Sequence, residues 1–149
     1  MVADHCASSA GKWEINTEKH HIPAVIYNLN SGQEKVDKLV SQIDLMPTLF
    51  SMIGWNYNNS TFGKDIMKMT SGEERALIGN YRTLGLLKNN LFTQINDHHQ
   101  IQQFQYDPKN KTISKETNKT DQHLKNLAIA YYQTASERFR NGKMKALDN

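Results

Sequence analysis

Cysteine is nearly missing: Cys6 is the one cysteine among 149 residues, so an internal disulfide is excluded and the redox compartment stays open. A long hydrophobic run is missing too. No stretch approaches the ~20 apolar residues that cross a bilayer, and the N-terminus lacks the basic and apolar regions of a secretory signal. Nor is there a surplus of one charge, since 18 Lys plus Arg against 15 Asp plus Glu leave a formal net charge of +3. The basic residues are scattered rather than gathered in a stripe with aromatics, which argues against nucleic-acid binding. The hydrophobic fraction of 38% and mean hydropathy of −0.70 are low, yet the length suits one domain-sized unit with a core. Internal repeats and low-complexity segments are absent.

What is present begins at once. Met1-Val2-Ala3 runs into Asp4-His5 and then a small-residue loop, Cys6-Ala7-Ser8-Ser9-Ala10-Gly11-Lys12. Asp offers a hard anionic oxygen and His a neutral imidazole nitrogen, a pair suited to Zn²⁺ or Mn²⁺, with Mg²⁺ or Ca²⁺ also compatible. In open α/β sheets ligands of this kind sit where a strand's carboxyl end meets its loop. Hardly any residues precede Asp4 to form that strand, so the chain is expected to be the C-terminal piece of something longer. Cys6 beside this pair reads as a small buried loop residue rather than a nucleophile.

Residues 24–29 form a nearly continuous apolar run after Pro23, as expected of a strand buried on both faces of a mainly parallel sheet. Asp44 is placed to N-cap a helix through Ile53, with Pro47 in its first turn and Gly54 at its C-terminal end. Leu45, Leu49, Met52 and Ile53 recur at helical spacing and predict a helix covering a sheet face. Residues 55–64 read as an Asn-rich connection that closes on a turn at Phe62-Gly63-Lys64-Asp65. From Arg75 the pattern changes to β-prone runs at 76–81, 83–88, 91–95 and 100–106, separated by turn residues as in antiparallel hairpins. The imperfect alternation of 100–106 suggests an edge strand, and a brief strand is expected at 112–114. Asp121 starts a helix whose Leu124, Ala128, Tyr131, Ala135 and Phe139 form one stripe, stopped by Asn141-Gly142.

In that order Asp4-His5, His20-His21-Ile22-Pro23, Ile43-Asp44-Leu45-Met46-Pro47-Thr48 and Phe62-Gly63-Lys64-Asp65 resemble the final third of sulfatase-like catalytic domains of the alkaline phosphatase superfamily. The likeness is closest to the lipoteichoic acid synthase branch of phosphoglycerol transferases and runs from Val2 to about Gly142. It implies an α/β fold: the C-terminal part of an alkaline-phosphatase-like α/β/α sandwich in residues 1–70, then a small antiparallel sheet with a C-terminal helix in 71–149, both within one domain of the parent enzyme. Such enzymes transfer phosphoryl or sulfuryl groups through a covalent intermediate on Thr, Ser or a modified Cys at a divalent metal.

By that resemblance Asp4 and His5 match a metal-binding pair. Lys12 matches a basic residue over the oxygens of the transferred group, with a solvated loop lysine as the equal alternative. The nucleophile and a further acidic ligand are expected upstream of Met1. Thr48 reads as a first-turn helix residue, and His20, His21, His98 and His99 read as non-ligands. The parent is expected to be membrane-anchored with its catalytic domain outside the cytoplasm, and its substrate to be a phospholipid headgroup, another phosphodiester or a sulfate ester. The chain alone is expected to lack activity, to need the preceding part of the catalytic domain as its partner, and to self-associate through apolar surface at 24–29 and 45–53. Two alternatives stand beside this reading: part of a sulfatase, and a noncatalytic binding module with its ligand surface on residues 76–106.

Overall fold

The computed structural model describes residues 1–6, 15–27, 32–117 and 120–145. Lys12 and residues 28–29 of the expected strand therefore lie outside the described residues. Five strands, β1 (Ala76–Gly79), β2 (Thr83–Lys88), β3 (Leu91–Asn96), β4 (Ile101–Asp107) and β5 (Thr112–Glu116), form an antiparallel meander in sequence order. Its turns are local. Asn89 and Asn90 join β2 to β3 with φ of 52° and 57°, the left-handed pair that a two-residue hairpin of the right twist requires. The brief strand expected at 112–114 pairs with β4 and makes the sheet five strands rather than four.

That pairing corrects the edge-strand expectation for 100–106, because β4 lies between β3 and β5. Its alternation looked imperfect because Gln103, only 3% exposed, takes an inward position. The amide satisfies itself there. Gln103 Nε2 donates to Thr93 Oγ1 (2.9 Å) and to the Asp121 carbonyl (3.0 Å), and Oε1 accepts from Asp121 N–H (2.6 Å). A buried polar side chain with its partners in place costs little, and this one clasps the start of the last helix to the sheet.

That helix, α2 (Gln122–Arg140), is capped by the Asp121 carboxylate, which accepts from Leu124 N–H at 3.0 Å. It lies against β2 and β3. Leu124 and Ala128 are buried, and Tyr132 Oη donates to the Gly85 carbonyl at 2.7 Å. The expected stripe ends early, since Phe139 is 77% exposed at the helix's outer end. On the opposite face Ala76, Leu87 and Phe92 form the core with Ile15, joined by Leu39, Ile78, Phe104, Tyr106 and Ile113. Gly85 is required there: a Cβ would meet the Phe92 ring at 2.4 Å.

The first half is built differently. A 3-10 turn (Gln42–Asp44) leads into α1 (Leu45–Met52). Gly54, at φ +74°, closes α1 with hydrogen bonds from Gly54 N to Ser51 O and from Trp55 N to Phe50 O, a Schellman end. Asp44 stands at the N-cap position of α1 as expected, but its carboxylate makes no cap bond there and is fully buried in an ion pair instead. The strand expected at 24–29 is corrected over its described part: Ala24 makes an isolated antiparallel bridge with Val2, and Val25 (51%), Ile26 (41%) and Tyr27 (88%) are exposed. Among the described residues only Met1 and Val2 lie beside it as strand partners, and an apolar run without neighbouring strands stays at the surface.

Candidate metal-ligand pair

Asp44 is the hub that fixes the first half to the sheet. Arg75, at the mouth of β1, donates to it with both terminal nitrogens, at 2.7 Å to Oδ2 and 2.8 Å to Oδ1, and the two side chains are 2% and 0% exposed. Backbone N–H groups of Ser41 and Lys64 complete the carboxylate, each at 2.8 Å. Arg75 also donates to the Phe62 carbonyl at 2.9 Å. Burial works against the guanidinium's charge, but the hydrogen bonds and charge of Asp44 outweigh it and raise the Arg75 pKa.

Thr48 extends the hub by one turn, donating to the Asp44 carbonyl (2.6 Å) and accepting from Ile66 N–H (2.9 Å). Gly63 lets the returning loop approach, for a Cβ there would sit 2.2 Å from the Ile43 carbonyl oxygen. The Ile43–Thr48 and Phe62–Asp65 motifs thus meet as the two sides of one buried joint.

From this joint the N-terminus is held by Gln42, whose Nε2 donates to the Ala3 carbonyl at 2.9 Å. The Val2–Ala24 bridge fixes the other side, with Val25 N donating to Met1 O at 2.8 Å and the Met1 ammonium hydrogen-bonded to Val25 O. Asp4 and His5 follow directly. Both are exposed, and His5 Nε2 stands 3.7 Å from Asp4 Oδ1. Two ligands of a tetrahedral zinc, each about 2.1 Å from it, are separated by roughly 3.4 Å, so this spacing needs only a small closure to share an ion.

The other ring nitrogen supports the same use. His5 Nδ1 lies 2.9 Å from the Cys6 carbonyl, a contact in which Nδ1 is the donor, so that in the neutral ring Nε2 carries the lone pair. Metal-binding histidines are oriented in this way by a carbonyl behind them. The Cys6 carbonyl first, and the Asp4 charge second, raise the His5 pKa.

The other candidates lie apart. His20 Nδ1 contacts the Asn16 carbonyl at 2.7 Å, His21 contacts Lys111 Nζ at 3.1 Å, and His98 stands 3.8 Å from Asp97 on an exposed turn. Among the described residues no group of three or more His, Cys, Asp and Glu side chains converges as a metal site. Cys6 is a half-buried free thiol. Two residues that position the pair escaped the sequence reading, Gln42 and Arg75. Gln42 carries no signal; Arg75 could have been sought as the opposite charge that an Asp in an apolar segment demands.

No family model matches the sequence. A crystal structure of a protein in the alkaline phosphatase superfamily from Vibrio parahaemolyticus is similar to 98% of this chain, with a TM-score of 0.89 and 26% identity. The chain spans 36% of that protein's length. Among the described residues no helix is long and apolar enough to cross a membrane. A mixed α/β unit with a five-stranded antiparallel sheet and a C-terminal helix, this chain carries the fold of about a third of an alkaline phosphatase superfamily protein.

Proposed function

We propose that Asp4 and His5 contribute to the divalent-metal site, for Zn²⁺ or Mn²⁺, of a phosphoester- or sulfate-ester-processing enzyme. Within that class a phosphoglycerol-transferase-like activity suits an Asp-His pair best. One observation carries the reading: in a fold similar to part of an alkaline phosphatase superfamily protein, His5 Nε2 and Asp4 Oδ1 lie 3.7 Å apart while Nδ1 rests on the Cys6 carbonyl. When bound, such an ion neutralises charge on the transferred group and lowers the pKa of a coordinated nucleophile. His5 would offer a neutral nitrogen of fixed tautomer, Asp4 an anionic oxygen, and Gln42 would hold the backbone that presents them. The nucleophile and the remaining ligands would come from the part of the larger fold that this chain does not span. Two ligands leave an ion largely hydrated, so binding by the 149 residues alone is expected to be weak.

Titrating Mn²⁺ into the isotope-labelled chain tests this without any need for turnover. Paramagnetic broadening should begin at Asp4 and His5 and disappear in both Asp4→Ala and His5→Ala. Broadening that begins at His98 and His99 and leaves His5 untouched would refute the assignment.

A further inference from the structure

Two turns stand side by side at one end of the sheet. The β1–β2 turn is held by Asn80, whose Oδ1 accepts from Arg82 N–H (2.9 Å) and Thr83 N–H (2.8 Å). The β3–β4 turn repeats the device with Asn96, whose Oδ1 accepts from His98 N–H (3.1 Å) and Gln100 N–H (2.9 Å). A short amide side chain serves here because it can take the place of a backbone acceptor. Thr83 pairs with Asn96 across β2 and β3, so both turns project from the same end.

Between them lies a cleft of about 300 Å³, at the small end of ligand-site volumes. Leu84 and Ile95, opposed in the β2–β3 register, give it an apolar wall. Tyr81, 74% exposed, lines it together with Arg82, Asp97 and His99 from the two turns. Side chains carried on turns of a rigid sheet are held in place without being covered, which is where binding groups commonly sit.

The charges of the cleft select among ligands. Arg82 Nη1 stands 3.8 Å from Asp97 Oδ2, and His98 Nε2 stands 3.8 Å from Asp97 Oδ1. Both separations exceed hydrogen-bond length, so Asp97 faces these two partners across gaps. An anion drawn to Arg82 meets Asp97, and a cation drawn to Asp97 meets Arg82, so an ion of either sign gains little net attraction. A hydroxyl group is donor and acceptor at once. In a vicinal diol, one hydroxyl can donate to Asp97 while its neighbour accepts from Arg82. The carbon skeleton behind the diol is apolar, which suits Leu84 and the open ring of Tyr81.

We propose that this cleft binds one sugar ring of a neutral glycan, with adjacent hydroxyls bridging Asp97 and Arg82 and the C–H face of the ring resting on Tyr81. A nucleotide fits less well, because its phosphates would meet Asp97 beside Arg82. The inference is independent of the metal reading, and Asp4→Ala should leave it untouched.

Chemical-shift titration of the isotope-labelled chain tests it, with maltotriose, cellotriose and N-acetylated chitotriose as neutral glycans and inorganic phosphate as the anionic probe. At least one glycan should give saturating shifts at Tyr81, Arg82, Leu84 and Asp97 in the millimolar range, as expected of a small open site, and phosphate should give none there. Tyr81→Ala and Asp97→Ala change exposed turn positions and should each weaken that binding about tenfold or more, with the amide shifts of β3–β5 otherwise kept. The absence of saturating shifts with all three glycans would overturn the proposal, and so would phosphate binding at Arg82. Glycan shifts that begin at Trp55 and Tyr57, 63% and 42% exposed, and survive Tyr81→Ala would overturn it too, because any open aromatic would then serve.

Discussion

In the sheet-and-helix region Leu86, Phe92, Leu124 and Ala128 are at most 1% exposed, whereas Val25, Met46 and Trp55 in the first 57 residues are each more than half exposed. Both regions are supplied with apolar side chains, and what differs is where their partners come from. In the meander each strand pairs with the next in sequence through a short turn, and α2 returns across β2 and β3, so the layers are complete within this chain. Asp44 anchors α1 to the sheet through Arg75, Thr48 and Gln42 tie α1 to Ile66 and the ribbon, and among the described residues no apolar layer covers Val25, Met46 or Trp55. Burial is a property of neighbours, and a segment can be positioned well by hydrogen bonds while its apolar face stays open.

The largest effect should come from cutting the joint between the two regions. Asp44→Ala or Arg75→Met leaves one fully buried charge unpaired, at a cost of about 3–5 kcal/mol, read as a lower denaturant midpoint. The double variant Asp44→Leu with Arg75→Met should recover most of that loss. A double variant no more stable than the worse single one would show that the joint works through something besides its charges.

Next comes the backbone of the same joint. Gly63→Ala forces a methyl against the Ile43 carbonyl, 2.2 Å away before any shift, and should destabilise by about 1–3 kcal/mol. Its amide shifts should spread through 43–48 and spare β3–β5. Perturbation of the whole sheet would blur the contrast between the regions.

Within the closed region, Tyr132→Phe removes the bond to the Gly85 carbonyl and should cost about 1 kcal/mol. It should also alter the alkaline limb of stability. Burial raises the Tyr132 pKa to about 12, against an ordinary value near 10. The folded state therefore keeps a proton that the unfolded chain releases, and this contribution is whole below pH 10 and lost as pH rises towards 12. Without the phenol that decline should be shallower. An identical alkaline profile in the variant would place the titration elsewhere.

The smallest effects lie on the surface. The hydrogen bond from Lys64 first, and those from Thr70 next, hold Glu73 down at about 2 from an ordinary 4.5. Its contribution is whole above pH 4.5 and fades as pH falls towards 2, and Glu73→Gln should remove that part of the acid dependence alone. At the candidate site the raised pKa of His5 has the opposite sense for binding. Mn²⁺ needs the neutral ring, so broadening at His5 should fade as pH falls, starting above the ordinary imidazole value of about 6.5. A pH-independent effect between 5 and 8 would remove His5 as a ligand.

The closed region was the legible one. Alternation, Asn turns and the Asp121 cap are local signals, and they marked four strands and α2 closely. Local pattern failed where a residue's role depends on distant partners: Gln103 looked like an edge residue because its partners Thr93 and Asp121 lie 10 and 18 residues away. Asp44 looked like a cap because Arg75 is 31 residues away. For the candidate site, Asp4 and His5 stood out by residue type alone, while Gln42, which fixes their backbone, has nothing in its surroundings to mark it. The apolar run at 24–29 promised a buried strand, and an apolar pattern reports what a segment needs rather than what this chain supplies.

Native-state hydrogen exchange, residue by residue and without metal, compares the two regions most directly. Amides of β2, β3 and β4 should exchange only through global unfolding, whereas those of 22–27 and 53–57 should exchange through local opening with far smaller free energies. Protection of 22–27 equal to that of β3 in the monomeric chain would contradict the account, because the ribbon would then be complete without any further layer.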